Sequence, residues 1–383
     1  MKSFDIKTKI YFGANSLEHL TSIPYRKALI VTDPFVVKSG MIKQITYRLD
    51  GGHVEHQIFS DVVPDPPIDK IAAGIKAMLE YKPDVVIAVG GGSAMDSAKA
   101  IREFGKKIGG DGIAEPALIA IPTTSGTGSE VTSFSVITDP VNKIKYPLVS
   151  DSLLPNEAIL DAELVKSVPA TVTADTGMDV FTHALEAYVS TNYNEFSAAL
   201  AEKAIEIIGT FLLRSYYDNT DTHARQKMHV ASCLAGLAFN SSSLGLNHGM
   251  AHQLGANFHI PHGRANAMLL PYVIEYNSEI DKHSKSKKEY KPVVRRYVNV
   301  AKLLGLTNFN EITTVRALVN WVQFMLKEMD IPLSVSKIGC CTQEEYMSKV
   351  SAMADAAIAD ACTATNPRVP NKLEVMELYR KLW

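Results

Sequence analysis

Hydrophobic residues in the first part of the chain occur in short, nearly continuous runs that alternate with helical stretches. The runs are rich in β-branched and other apolar residues and cover 28–32, 54–59, 84–89 and 118–121. Between them, residues 36–49 and 68–81 have helical periodicity. Strands that are apolar on both faces and are separated by helices are typical of a parallel sheet covered by helices. The pattern therefore predicts an α/β domain.

After about residue 168 the strand-like runs end and helical periodicity dominates. It extends over 173–190, 196–217, 223–239, 293–304, 315–329, 342–362 and 373–382. A chain of 383 residues is also too long for one ordinary hydrophobic core. We therefore predict two domains, an α/β domain over 1–168 and an all-helical domain over 169–383.

Composition excludes several classes of partner. The formal net charge of −2 offers no general attraction to nucleic acid or to an anionic membrane. The basic residues within 282–296 are not accompanied by a pattern of aromatic and glycine residues for base stacking, and we interpret them as solvated surface. No apolar run approaches the length that spans a bilayer, and the chain starts without the apolar stretch of a secretory signal. The four cysteines form no CxxC pair, so we expect a cytoplasmic protein with free thiols.

A glycine-rich segment follows the strand at 84–89. Gly90, Gly91 and Gly92 leave room for a ligand to approach the backbone, and we expect Ser93 to be the N-cap of the next helix. Asp96, three residues later, would complete a capping box. Because a helix N-terminus attracts phosphate, we count these five residues as candidates for cofactor binding. A tight turn without a ligand is the alternative.

A second loop rich in hydroxyl groups, PTTSGTGSE, follows the strand at 118–121. Two such loops at the carboxyl ends of neighbouring strands favour a dinucleotide site, although no GxGxxG follows the first strand. The domain would then be Rossmann-like. Asp33, at the end of the strand at 28–32, could accept a hydrogen bond from a ribose hydroxyl, or it could be an ordinary turn aspartate before Pro34.

Histidines are concentrated in the helical half. Four of the chain's eleven histidines lie between positions 248 and 262. Upstream, Asp179 and His183 are four residues apart, as are His248 and His252, so each pair can point from one face of a helix. Together with His262 these residues predict a mononuclear site for Fe(II), Zn(II) or Mn(II). Five ligands would leave no open position for a substrate, so one of these side chains is expected to be a neighbour of the metal only.

A metal beside a dinucleotide suggests one economical reaction. The cation would act as a Lewis acid on an alcohol oxygen, and the nicotinamide would take the hydride from the carbinol carbon. The stretch 244–272 contains one arginine, Arg264, and no lysine. Because an anionic substrate would need more positive charge, we expect a small neutral alcohol or aldehyde.

Several motifs together resemble the iron-dependent alcohol dehydrogenases. They are GGGS at 90–93, PTTSGTGSEVT at 122–132, TGMD at 176–179, EAYVS at 186–190, HGMAHQL at 248–254, PHG at 261–263 and TNPR at 365–368. The resemblance spans nearly the whole chain. Asn247 and the KYPL segment at 145–148 make it most similar to the 1-propanol and ethanol dehydrogenases of diol and ethanolamine catabolism.

The resemblance assigns roles to individual residues. It implies Asp179, His183, His248 and His262 as the metal ligands, and it leaves His252 near the nicotinamide as a catalytic proton relay. It places residues 90–93 at the pyrophosphate of NAD and Asp33 at the adenosine ribose, which favours NAD over NADP. It implies that the remaining cofactor surface is lined by Thr123, Thr124, Thr127 and Lys145.

Other interpretations remain open at this point. A glycerol- or diol-type dehydrogenase and a dehydroquinate-synthase-like lyase would use similar folds, although the lyase would need Lys and Arg around the metal. A protein that binds metal and nucleotide without catalysis is a third alternative. The resemblance further implies a homodimer or larger homo-oligomer, and association with a bacterial microcompartment.

Overall fold

The computed structural model describes residues 4–112, 114–140, 144–280 and 291–383. Most of the basic segment at 282–296 and the side chain of Lys145 lie outside the described residues. The chain divides into two compact units, Met1–Val168 and Pro169–Trp383, each with its own hydrophobic core.

The first unit is built on a six-stranded parallel sheet. Its strands, in chain order, are β1 (Lys9–Phe12), β2 (Lys27–Thr32), β3 (Glu55–Phe59), β4 (Val85–Gly90), β5 (Ala117–Pro122) and β8 (Glu157–Leu160). They lie in the order β1-β8-β5-β4-β2-β3. The helices are α1 (Pro34–Lys38), α2 (Ile42–Gly51), α3 (Ile68–Tyr81) and α4 (Gly92–Gly109). A separate antiparallel hairpin consists of β6 (Phe134–Asp139) and β7 (Ile144–Val149).

Both faces of the central strands are buried. Ile87 on one face of β4 joins a core with Ile45 and Leu49 of α2. Val86 on the opposite face joins a second core that includes Met78 of α3 and Ile101 of α4. This two-sided burial explains why the strand sequences are almost continuously apolar.

The first unit differs from the sequence prediction in three places. The expected helix over 36–49 is two helices, because the chain turns at Gly40 with a φ of +79°. The expectation of Ser93 as an N-cap is wrong, since α4 already begins at Gly92 and has no side-chain cap. Strands β1 and β8, at one side of the sheet, and the hairpin were not predicted, because they are short or contain polar residues.

The second unit is helical. Its helices are α5 (Ala170–Val189), α6 (Glu195–Tyr217), α7 (Thr222–Ser242), α8 (Leu246–Phe258), α9 (His262–Ser278), α10 (Lys291–Leu303), α11 (Glu311–Glu328), α12 (Val335–Ile338), α13 (Gln343–Ala359) and α14 (Lys372–Lys381). A 3₁₀ turn, Ala361–Thr365, follows α13. Long helix α5 is buried along most of its length and packs against α6, α7 and α9. Helices α8 and α9 are largely buried too, so their sequences lack the polar face that marks a surface helix.

Within the described part of the chain, no helix combines the length and the apolar character that a transmembrane span requires.

Candidate active site

Four side chains converge inside the helical unit. Asp179 and His183 lie one turn apart on α5, His248 lies in the first turn of α8, and His262 begins α9. Each offers one possible ligand atom, and these four atoms all lie within 4.8 Å of one another. Three separate helices therefore bring together the carboxylate and three imidazoles.

This cluster is partly closed to solvent. Asp179, His183 and His248 are buried, whereas the side chain of His262 is 43% exposed. Burial disfavours a charged carboxylate, but attraction to the surrounding imidazoles outweighs it and holds the pKa of Asp179 well below its usual range. The site therefore presents a negative charge on its closed side and an imidazole at its open side.

His248 shows that the cluster fits a cation. Its Nδ1 is 2.5 Å from Oε2 of Glu186, and its Nε2 is turned toward Asp179, 3.7 Å from Oδ1. That buried Nε2 has no hydrogen-bond partner among the described residues. A carboxylate-bound imidazole with a free second nitrogen is the usual arrangement of a metal-binding histidine. The donor set of one carboxylate and three imidazoles suits Fe(II), Zn(II) or Mn(II).

Two supporting residues were missed by the sequence analysis. Glu186 also accepts a hydrogen bond from the backbone N of Asn247 at 2.7 Å, so it fixes the start of α8. Asn266 Nδ2 donates to Oδ1 of Asp179 at 2.7 Å. The spacing of Asp179, His183 and Glu186 along α5 places them on one face of the helix, and this spacing could have identified Glu186.

His252 lies beside the cluster and is held by a different carboxylate. Its Nδ1 is 2.8 Å from Oδ2 of Asp360, and its ring stacks on that of His262 with a centroid separation of 5.3 Å. The side chain of His252 is 40% exposed. Although burial opposes ionisation, hydrogen bonding to His252 contributes to a lowered pKa of Asp360, so Asp360 is a carboxylate at neutral pH.

Positive charge near the cluster is neutralised. Arg264, two residues before Asn266 on α9, donates from Nε to Oδ1 of Asp175 at 3.1 Å. Its charge is thus already paired within the helical unit.

In the α/β unit, the two glycine- and hydroxyl-rich loops touch each other. Thr123 N donates to the carbonyl of Gly90 at 2.9 Å. A Cβ on Gly92 would lie 2.8 Å from Cγ2 of Thr127, and a Cβ on Gly91 would lie 3.4 Å from Oγ1 of Thr124. The glycines therefore allow the start of α4 and the second loop to form one continuous surface at the carboxyl edge of the sheet.

A buried lysine anchors the second loop. Lys99 Nζ donates to Oγ of Ser129 at 2.9 Å and to the carbonyl of Thr132 at 2.8 Å. Asp96 accepts from the same Ser129 hydroxyl at 2.9 Å and from the backbone N of Val136 at 3.0 Å. Burial lowers the pKa of Lys99 to about 8. Both oxygens of Asp96 are thus engaged in holding the loop.

Asp33 lies at the same edge of the sheet. Its Oδ1 caps α1 by accepting from the backbone N of Phe35 at 2.8 Å and of Val36 at 3.0 Å. Its Oδ2 points toward Gly90, since a Cβ on that glycine would lie 3.3 Å away. Asp33 is therefore a turn aspartate that caps α1, as one of the two interpretations of the sequence predicts. Its second carboxylate oxygen still faces the glycine loop.

Two family models match the chain. The model described as iron-containing alcohol dehydrogenase matches residues 7–162, and the model of the C-terminal part of the Fe-containing alcohol dehydrogenase family matches residues 173–383.

Curated relatives match over the full length. The chain is 43% identical to 1-propanol dehydrogenase PduQ of Citrobacter freundii, with 100% of both chains covered. It is 40% identical to the NADPH-dependent butanol dehydrogenase of Clostridium saccharobutylicum, covering 99% of this chain and 97% of the relative. Among solved structures, a 1,3-propanediol oxidoreductase superposes with a TM-score of 0.89 at 30% identity and 100% coverage of both chains.

These matches confirm the predicted fold class, an α/β domain with a parallel sheet followed by a helical domain. They also set aside the lyase and the non-catalytic binding protein, since the matching models and relatives are dehydrogenases. The chain belongs to the iron-containing alcohol dehydrogenase family, as its motifs predict.

Proposed function

We propose that this protein interconverts a small primary alcohol and its aldehyde by hydride transfer to or from NAD, using a divalent cation held by Asp179, His183, His248 and His262. The observation that carries the proposal is the convergence of these four donors within 4.8 Å in a chain of the alcohol dehydrogenase family. We favour Fe(II) because of the family, and Zn(II) and Mn(II) suit the same donors.

The residues of the cluster have separable tasks. Asp179 supplies the negative charge, and Glu186 holds His248 so that its Nε2 faces the centre. When bound, the cation supplies Lewis acidity, which lowers the pKa of an alcohol hydroxyl. The exposed His262 lies at the side through which a substrate would approach the cluster.

His252 fits the role of a proton relay. Because Asp360 is a carboxylate, it can only accept, so Nδ1 of His252 carries the shared hydrogen. Nε2 of the neutral ring is then an acceptor, able to take a proton from the alcohol side and release it to solvent.

We propose that the cofactor lies along the surface formed by the two loops of the α/β unit. The pyrophosphate would meet Gly90, Gly91, Gly92 and Ser93 at the N-terminus of α4, where free backbone N–H groups favour anions. The remaining surface would come from Thr123, Thr124, Thr127 and Lys145. Asp96, being engaged with Ser129 and Val136, would act by shaping the second loop.

Asp33 supports NAD as the preferred nucleotide. Its free oxygen faces Gly90 and could accept from a ribose hydroxyl, whereas a 2′-phosphate would meet a negative charge. NADP is the second candidate, because the butanol dehydrogenase relative is named as NADPH-dependent.

The substrate is proposed to be neutral and short. Arg264 is paired with Asp175 and offers little attraction to a substrate anion. The relatives are named for 1-propanol and butanol, which favours a primary alcohol of similar size. A diol is the second candidate, favoured by the 1,3-propanediol oxidoreductase structure.

The proposal also covers the cellular compartment and the oligomeric state of the protein. The four cysteines form no disulfide, which is consistent with the reducing cytoplasm that we propose. Assembly as a homodimer or larger homo-oligomer and association with a microcompartment stay predictions from the resemblance.

The proposed activity is tested directly with anaerobically Fe(II)-loaded protein and NAD. Ethanol, 1-propanol, 1-butanol, glycerol and 1,3-propanediol are supplied separately, and NADH formation is followed by absorbance, with NADP in a parallel series. We expect the highest kcat/KM for a monohydric primary alcohol with NAD. Preference for glycerol or the diol would favour the second candidate, and absence of turnover with Fe(II), Zn(II) and Mn(II) would overturn the proposal.

A further inference from the structure

A second group of potential ligands lies next to the first cluster. The side chains of His252, Asp360 and Cys362 each offer one donor atom, and the three atoms lie within 4.8 Å of one another. We propose that these residues form a second cation site, of the thiolate–imidazole–carboxylate type that binds Zn(II). This proposal goes beyond the alcohol dehydrogenase activity and does not depend on it.

The backbone holds the three donors close together. Asp360 caps the 3₁₀ turn Ala361–Thr365, and its Oδ1 accepts from the backbone N of Cys362 at 2.9 Å. Helix α8, which carries His252, packs tightly on this turn at Gly249. A Cβ there would lie 2.2 Å from Oγ1 of Thr363 and 3.4 Å from Cβ of Asp360. The site is therefore formed by two elements in fixed contact.

The separation of the donors suits a small cation. Zinc–ligand bonds of about 2.0 to 2.3 Å place tetrahedral ligand atoms about 3.3 to 3.8 Å apart, so closure from 4.8 Å needs only a small side-chain movement. The side chains of His252 and Asp360 are 40% and 17% exposed, which leaves access for the ion and for water as a fourth ligand. A thiol and an imidazole favour Zn(II) over Mg²⁺ or Ca²⁺, which prefer oxygen ligands.

Cys362 needs an explanation that the proposed reaction does not give. Burial is the main cause that raises the pKa of its thiol, so it is a poor nucleophile and a poor redox sensor at neutral pH. A cation would displace the proton of this thiol and the hydrogen shared by His252 and Asp360. Because the rings of His252 and His262 stack at 5.3 Å, charge repulsion should make the second cation bind more weakly than the first.

A cation bound at the second site would change the ability of His252 to accept a proton. A cation on Nδ1 leaves the hydrogen of the neutral ring on Nε2, which can then no longer accept a proton. Excess Zn(II) is therefore expected to inhibit turnover; this consequence, unlike the site itself, rests on the proposed role of His252.

Cobalt(II) titration of the full-length protein tests the site with a readout other than activity. The first cluster contains no sulfur ligand, so a near-ultraviolet thiolate-to-cobalt charge-transfer band can come only from a cysteine site. We expect the wild type to bind two equivalents and to show this band, and Cys362→Ser to bind one equivalent and lose it. The double variant Cys340→Ser/Cys341→Ser, which removes the adjacent thiols outside the cluster, should keep the band.

Two further variants separate loss of the second site from loss of the first cluster. Asp360→Asn should weaken the band at subsaturating cobalt, and His262→Ala, which removes a ligand of the first cluster and none of the second, should retain it. No band in the wild type at saturating cobalt, or a band unchanged in Cys362→Ser, would overturn the proposal. Neither result would bear on turnover with alcohol and NAD, which tests the proposed function separately.

Discussion

At the scale of single residues, the two neighbouring histidines His252 and His262 have different surroundings. His262 contributes a nitrogen to the four-donor cluster, whereas His252 is bound to Asp360. We predict that His262→Ala loses both bound metal and turnover. His252→Ala should keep the metal and slow the reaction by about 100-fold or more, as expected for loss of a general base. Metal analysis and kcat on the same preparations check this, and equal metal loss in both variants would show that the ligand assignment is wrong.

Asp33 combines a structural and a proposed cofactor role, and one substitution separates them. Serine can still cap α1 but removes the carboxylate, so Asp33→Ser should keep the thermal midpoint and lower the preference for NAD over NADP by about tenfold or more. The kcat/KM ratio for the two nucleotides measures the change. Asp33→Gly is the matched variant without a side-chain cap, and a ratio unchanged in both would remove the cofactor role.

At the scale of secondary-structure elements, Glu186 links α5 to α8. It contacts both the ring of His248 and the backbone of Asn247. Glu186→Gln should therefore lower metal affinity by about 10- to 100-fold, because the ligand ring loses the carboxylate that orients it. Competition with a chelator gives the affinity. Glu202→Gln is the control, since Glu202 accepts from Tyr188 of α5 without touching the cluster; equal effects in the two variants would contradict the proposed coupling.

Lys99 links α4 to the second loop, as Glu186 links α5 to α8. Lys99→Met removes the ammonium group that donates to the hydroxyl of Ser129 and to the buried carbonyl of Thr132, so we predict weaker NAD binding with unchanged metal content. The folded pKa of about 8 lies below the ordinary 10.5, so the folded state binds fewer protons between these values. The stability contributed by Lys99 should therefore rise as pH increases from 8 to 10.5. Comparing denaturant unfolding of the variant and wild type over this range checks the sign, and an unchanged difference would contradict it.

The elements also show what the sequence could predict. Strands β2, β4 and β5 were predicted because both their faces are buried and their sequences are nearly continuously apolar. The pairs Asp179/His183 and His248/His252 were predicted because their spacing matches a helical turn. The sequence did not identify Glu186 and Asp360 as hydrogen-bond partners of histidines, because Glu186 is 62 positions from His248 and Asp360 is 108 positions from His252. Likewise, the break between α1 and α2 at Gly40 depends on a left-handed backbone conformation, which hydrophobic periodicity does not predict.

At the scale of the whole molecule, we propose that the two compact units have different tasks, cofactor binding and metal binding. The α/β unit offers a surface of glycine and hydroxyl groups at the carboxyl edge of its sheet, and the helical unit brings together, from three helices, four side chains that could hold a metal ion. This division agrees with the two family models, which match the two units separately. Our main proposal is that the helical unit holds one divalent cation with these four side chains.

Anomalous diffraction at the iron edge can show where this cation binds. Crystals would be grown anaerobically from protein loaded with one equivalent of Fe(II), and an anomalous difference map would locate the ion. We predict one peak, within bonding distance of an oxygen of Asp179 and of a nitrogen from each of His183, His248 and His262. A peak bonded to other residues, or one that any of these four side chains fails to reach, would contradict it.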